Sequence, residues 1–411
     1  MSIIDTYFDY VGTTESPNIY HRWVFISIIG ALLERSVYLK FGHNLLYPNQ
    51  YILLMGSPGA RKGTAINIGK KLLTLAGYRY FAPDRAKKET IWYWMGTQHE
   101  NTYDEDQDSI EDIETMTLDL SPAQLYLLRD EFTAFTGVGD EELFTSLTDL
   151  WDNLDDFNNP KLTGQNVFIN KPTVNILSGT TPTNLSRAIP SSMIGGGFFS
   201  RVIFINGNVT DKVAWPSLPD KDKQINLVNR LREIRSLFGE IKLTDEARKF
   251  ATEIYHSYPG IRDRRFQYYL QRRYIHLLKL AIILATMELE LVITKDILKR
   301  ANTYLFLAEV QMPQAIGHFG QSSDSAIANL ILEAIKDAPD PLSIRDLYGL
   351  ISADVKDLKT AATIIANLVQ GGKVQKVKIG DSFRFLPKIT IETSWANEFI
   401  DLSLVTEQER L

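Results

Sequence analysis

The 411-residue chain has no cysteine and only 6 histidines. Disulfides, thiolate metal sites and cysteine nucleophiles are therefore excluded. The histidines are scattered without metal-ligand spacing, and no nucleophile, base and orienting acid suggest acyl transfer. No apolar run approaches the roughly 20 residues that span a bilayer. The longest, around Leu277 to Ala285, has Arg272, Arg273 and Lys279 in or beside it, so no membrane association is expected. Met1 to Tyr10 lacks the basic-then-apolar order of a signal peptide, and cytoplasmic residence is the expectation. A basic excess is missing too: 44 basic against 50 acidic side chains leave a net charge of −6. That balance excludes a protein coating nucleic acid with its whole surface and restricts any such contact to a local patch. Much of the negative excess sits in Glu100 to Asp119. There is no internal repeat or low-complexity segment.

What is present suits a folded chain of two or three domains, with 44% hydrophobic and 23% charged residues. Residues 1–48 read as an N-terminal helical segment ending in a β-like Val37 to Phe41. Tyr51 to Met55 is a short apolar run stopped by Gly56, and a helical pattern resumes from Lys62 to Leu75. Further strands are expected at Tyr78 to Ala82, Gln124 to Leu128 and Thr173 to Leu177, with helices through Trp92 and Trp94 and over Glu141 to Trp151. Alternating strands and helices imply an α/β core with a largely parallel sheet.

Residues 219–311 read as helical, with Thr244 and Thr294 as N-caps. After a break at Gly317 to Ser323, helices near Ser325 to Lys336, Ser343 to Ile351 and Val355 to Gln370 precede a hairpin of Lys373 to Lys378 and Ser382 to Leu386. Three helices and a hairpin make a winged-helix pattern.

Gly56-Ser57-Pro58-Gly59-Ala60-Arg61-Lys62-Gly63-Thr64 places a lysine six positions after the first glycine, the spacing of a Walker A phosphate loop. Small residues let successive backbone N–H groups close around a phosphate, and the following helix adds its positive end. Lys62 is the phosphate lysine. Arg61 stands where glycine is usual, and Gly63 occupies the Ser/Thr position, one place before Thr64, which is then a contact for phosphate or hydrated magnesium. The Pro-Gly-Ala-x-Lys-Gly-Thr run resembles the loop of adenylate kinases. Asp130 follows a strand, as a Walker B magnesium carboxylate must. Glu131 beside it suits orientation of the water that attacks the γ-phosphate of ATP.

With Arg129 to Phe132, Gly179 to Asn184 and Ile194 to Arg201, this loop resembles an AAA+ ATPase, and more closely a phage and mobile-element family of replication helicase-like proteins. The resemblance covers most of residues 45–210. It implies a sensor-1 group at the end of the fourth strand, with Thr181 favoured and Asn184 as substitute. It also implies that Arg201 is an arginine finger acting on a neighbouring subunit's nucleotide. The helix from Gln271 resembles the lid of minichromosome-maintenance helicases, which makes Arg272 or Arg273 sensor 2.

The organisation expected is therefore a P-loop AAA+ core at 49–215 after the segment 1–48, a helical lid at 216–318, a winged-helix domain at 319–390 and a C-terminal tail at 391–411. The implied function is an ATP- and Mg2+-dependent motor, a DNA helicase or translocase for phage or mobile-element replication. It would act as a homo-oligomer, expected as a hexamer, on single-stranded or forked DNA, with replication proteins as further partners. Lys161, in the polar turn Phe157 to Gln165, would track a strand. In the winged helix Lys356, Lys359, Lys373, Lys376 and Lys378 supply cations, interspersed with Asp354, Asp357 and Asp381, so contact with a protein stands beside DNA reading there. The alternative is a non-translocating loader, initiator or switch; a nucleoside-monophosphate kinase is a third reading.

Overall fold

The computed structural model of the chain describes residues 2–83, 88–96, 122–137, 139–152, 156–159, 167–190, 193–194, 196–207, 212–317, 327–328, 330–332, 334–335, 338, 340–352, 355, 357–370, 374–379, 382–387 and 393–404. The chain divides into two compact units: Met1–Ala315 with Asn397–Leu411, and Ile316–Ala396.

In the larger unit, α1 (Ile3–Val11) and α2 (Asn18–Leu33) lead into an antiparallel pair, β1 (Val37–Phe41) and β2 (Asn44–Leu46). Apart from Asn18, all of α2 is buried, as its apolar sequence on every side requires. The core sheet follows: β3 (Tyr51–Met55), α3 (Lys62–Leu75), α4 (Lys88–Gly96), β4 (Gln124–Arg129), α5 (Thr133–Thr136), α6 (Glu141–Trp151), the antiparallel pair β5 (Asp156–Asn159) and β6 (Val167–Asn170), β7 (Thr173–Thr180), α7 (Pro182–Ala188) and β8 (Val202–Asn206).

The four long strands run parallel in the order β4-β7-β3-β8. β3 and β7 are buried at every position, as central strands covered on both faces are. Met55 is level with Thr180 and with Asn206, and Arg129 with Ser178. The carboxyl ends of all four strands therefore open on one edge, where β7 lies between the exits of β3 and β4. The strand expected at Tyr78 to Ala82 is reduced to one parallel bridge between Phe81 and Tyr126. Its tyrosines pack as an aromatic cluster instead, Tyr78 edge-on to Tyr80, Phe81 and Tyr126.

Helices α8 (Lys221–Arg235), α9 (Asp245–Ser257), α10 (Gln267–Met287) and α11 (Lys295–Ala315) follow, with the short strands β9 (Gly239–Glu240), β10 (Lys242–Leu243) and β11 (Val292–Ile293). The Thr244 hydroxyl accepts from the Ala247 amide at 3.1 Å and the Thr294 hydroxyl from the Ile297 amide at 3.3 Å, as N-caps do. Among the described residues no helix is long and apolar enough to cross a membrane.

The smaller unit holds helical residues within 327–335, β12 (Leu342–Ser343), helices Ile344–Ile351 and Leu358–Gln370, and the hairpin β13 (Val374–Ile379) and β14 (Ser382–Pro387), with β12 paired to β14. Its core gathers Ile331, Leu347, Ile365, Val374 and Phe385. Asp346 completes a capping box with Ser343, and Asp357 accepts from the Thr360 amide, so both acids serve helix starts. Lys161, Asp354, Lys356, Lys373 and Asp381 lie outside the described residues, as does the acidic stretch Glu100 to Asp119.

Candidate active site

The glycine loop leaves β3 at Gly56 and enters α3 at Lys62. Arg61 has φ 56° and ψ 28°, a left-handed conformation that costs a residue bearing a Cβ about 1–2 kcal/mol. The chain holds it there by a bond from Arg61 Nε to Glu15 Oε2 at 2.6 Å, while Glu15 Oε1 accepts from the Val213 amide at 3.1 Å. The Arg61 bond, followed by that amide, holds the Glu15 carboxyl below the usual carboxylate range. α3 starts with no side-chain cap and no acid in its first turn. Its leading amides and the positive end of its dipole are thus left for an anion.

Lys62 folds back over the loop, donating from Nζ to Gly56 O at 2.9 Å and Ser57 O at 3.0 Å. Burial lowers its pKa, and the nearby Glu131 charge opposes that shift. Glu131 Oε1 accepts from Thr180 Oγ1 at 3.3 Å and from Thr133 Oγ1 at 3.2 Å. Asp130 is exposed and lies against the start of α3: a Cβ added to Gly63 would stand 3.1 Å from Asp130 Oδ2. Glycine at the Ser/Thr position thus makes room for the carboxylate.

Gly179 permits a close approach. A Cβ there would meet Asp130 O at 2.5 Å and Lys62 Cβ at 3.2 Å, and the Phe132 amide donates to Gly179 O at 2.9 Å. Behind the loop the Tyr20 hydroxyl bonds the carbonyls of Met55 and, at 2.7 Å, Gly207. It therefore joins the ends of β3 and β8.

The structure thus brings together Lys62, Asp130 and Glu131. Thr64 is exposed on the first turn of α3. Thr181 is otherwise engaged: its Oγ1 accepts from the Asn184 amide at 3.1 Å and caps α7. The hydroxyl that reaches Glu131 belongs to fully buried Thr180, one residue earlier. Side chains alternate along a strand, so Thr180 shares a face with Ser178, whose hydroxyl bonds Arg129 O at 2.9 Å.

Two of the expected arginines have partners within the chain. Arg201 precedes Val202, which is level with Tyr51 at the opening of β3, so it sits at the opposite end of the sheet from the glycine loop. It is buried, with an ion pair to Asp152 and a bond to Gly197 O at 2.9 Å. Its guanidinium lies 5.6 Å from the Trp151 ring centre. Arg273 is likewise buried, bonding Glu309 Oε2 at 2.9 Å and Asn302 Oδ1 at 2.8 Å, with the Tyr258 ring 3.6 Å away. Each guanidinium is thus held by partners within the chain, Arg201 by Asp152 and Gly197 O and Arg273 by Glu309 and Asn302. Half-buried Arg272 lies 3.6 Å from Asp152.

An uncapped helix start, a folded-back lysine and a loop glycine, Gly59, at φ 88° with open space beside it fit a phosphate group. Asp130 and its neighbour Glu131 fit hydrated magnesium, which takes one or two carboxylates and completes its shell with water and phosphate oxygens. Among the described residues no three His, Asp or Glu side chains form a cage for a bare ion. In comparisons with known proteins, the chain matches no family model and no curated protein.

Proposed function

We propose that the chain is a P-loop ATPase with an AAA+ core, working as an oligomer on DNA. One observation carries the ATPase reading: the Lys62 amine and the Asp130 and Glu131 carboxylates converge on the uncapped start of α3. The loop amides and Lys62 bind the β- and γ-phosphates, and Asp130 would hold magnesium, which would neutralise phosphate charge. Glu131, oriented by Thr180, positions a water for attack on the γ-phosphorus. The bond from that phosphorus to the bridging oxygen breaks, releasing ADP and phosphate.

Support for the AAA+ architecture comes from β7 lying between β3 and β4, which aims a polar strand end at the Glu131 carboxylate, and from helices α8 to α11 following the sheet. The three-helix and hairpin pattern of the smaller unit supports a winged helix and, with it, DNA. The intrachain ion pair of Arg201 favours a second reading, a non-translocating ATP-dependent switch that needs no finger from a neighbour.

Phosphate release measured with and without DNA tests the ATPase, with Lys62→Ala and Glu131→Gln expected to fall to background. Turnover at the wild-type rate by Lys62→Ala overturns it. Strand displacement on forked DNA separates motor from switch.

A further inference from the structure

Within the smaller unit an open groove of about 420 Å3 runs between Ser343 to Arg345 on one side and Lys376 with Ser382 to Phe385 on the other, a size typical of ligand clefts. The hairpin register pairs Lys376 with Phe385 and Lys378 with Phe383, so these four side chains share one face of the ribbon. Near its base that face is core, with Val374 and Phe385 buried; farther along it emerges, and Phe383 is 52% exposed. The Lys376 ammonium stands 3.9 Å from the centre of the Phe383 ring, a cation–π contact that keeps both groups at the groove.

The charge here opposes that of the chain. Asp346, beside the groove, is committed to its capping box, accepting from the Ser343 amide at 2.8 Å, and to Arg384 at 3.3 Å. Arg345, Lys376 and Lys378 have no carboxylate partner among the described residues. An exposed aromatic face flanked by cations matches a ligand with flat π surfaces strung on anions at regular spacing. Stacking on Phe383 requires an unstacked base, which a duplex does not offer.

We propose that this groove binds single-stranded nucleic acid, with one base on Phe383 and the flanking phosphates on Lys376, Lys378 and Arg345. The inference rests on nucleic acid being the polymer the protein acts on, but not on the nucleotide site.

The test is fluorescence anisotropy of a labelled oligothymidylate of about 20 nucleotides with the full chain, beside a duplex of equal length. Single strand should bind more tightly than duplex. Phe383→Ala should weaken single-strand binding by about 5- to 100-fold, and Phe383→Tyr should restore it. Arg345→Ala with Lys376→Ala should lower the slope of log affinity against log salt by about 1.4, at roughly 0.7 for each lost phosphate contact. All three should hydrolyse ATP at the basal rate. Unchanged binding by Phe383→Ala, or equal affinity for duplex, overturns the proposal, as does binding of an acidic peptide in preference to the oligonucleotide. Binding by wild type and by Lys62→Ala alike, with ATP hydrolysed by neither, would sink the ATPase while leaving the groove intact.

Discussion

Gly179→Ala adds a single methyl group at the point where β7, the exit of β4 and the start of α3 meet. The new Cβ would stand 2.5 Å from the Asp130 carbonyl oxygen and 3.2 Å from Lys62 Cβ. Carbon–oxygen contacts shorter than about 3 Å do not persist, and the first neighbour is backbone, so β4 and β7 must separate by roughly 0.5–1 Å. Overpacking on this scale costs about 1–3 kcal/mol. The separation carries Asp130 and Glu131 away from Lys62, and a misplacement near 1 Å lowers turnover by about 100-fold. Thermal melting and steady-state phosphate release measure both effects. Gly349→Ala is the internal control: it lies inside the helix Ile344–Ile351 with open space around its Cβ, and should stabilise that helix by roughly 0.5–1 kcal/mol without altering turnover. A Gly179→Ala protein that melts and hydrolyses ATP like wild type would refute the close approach of the two strands.

Thr180→Val should lower kcat by about 10- to 100-fold, since a hydrogen bond to a charged group is lost, whereas Thr181→Ala should cost about 1 kcal/mol of stability as a missing cap and leave kcat within a few fold; the reverse pattern would restore Thr181 to the site. Arg201→Ala should destabilise by about 2–3 kcal/mol in denaturant melts, less than a fully buried pair because Asp152 is 43% exposed. Mixing that variant with Glu131→Gln should restore no activity; recovery would show a site shared between subunits. Burial holds the pKa of His21 at about 4 and of His276 at about 3. The unfolded chain takes up these protons near pH 6.5, the folded chain only well below, so stability should fall as pH drops from about 6.5 towards 4. The slope is about 1.4 kcal/mol per pH unit for each histidine. A flat profile of urea midpoints over that window contradicts the burial.

Helices α3 and α6 and the strand Tyr51–Met55 were legible because their signals are local: a glycine stop, an apolar run and helical spacing. The Lys62, Asp130 and Glu131 positions were legible for the same reason. β7 runs three residues past its expected end, to Thr180, because its last residues are polar in type and buried through bonds to Arg129 and Glu131. The intrachain partners of the arginines were not legible because they are distant in sequence. Arg201 is 49 residues from Asp152, and Arg273 is 36 from Glu309. Tyr20 carries no local signal either, since its two carbonyl partners lie 35 and 187 residues away.

Calorimetric titration of the purified chain with ATP and magnesium tests the central claim most directly. Saturable binding with a stoichiometry of one per chain is expected, lost in Lys62→Ala and, for its magnesium-dependent part, in Asp130→Ala. Absence of binding by the wild-type protein, or equal binding by Lys62→Ala, would contradict the phosphate site at the start of α3.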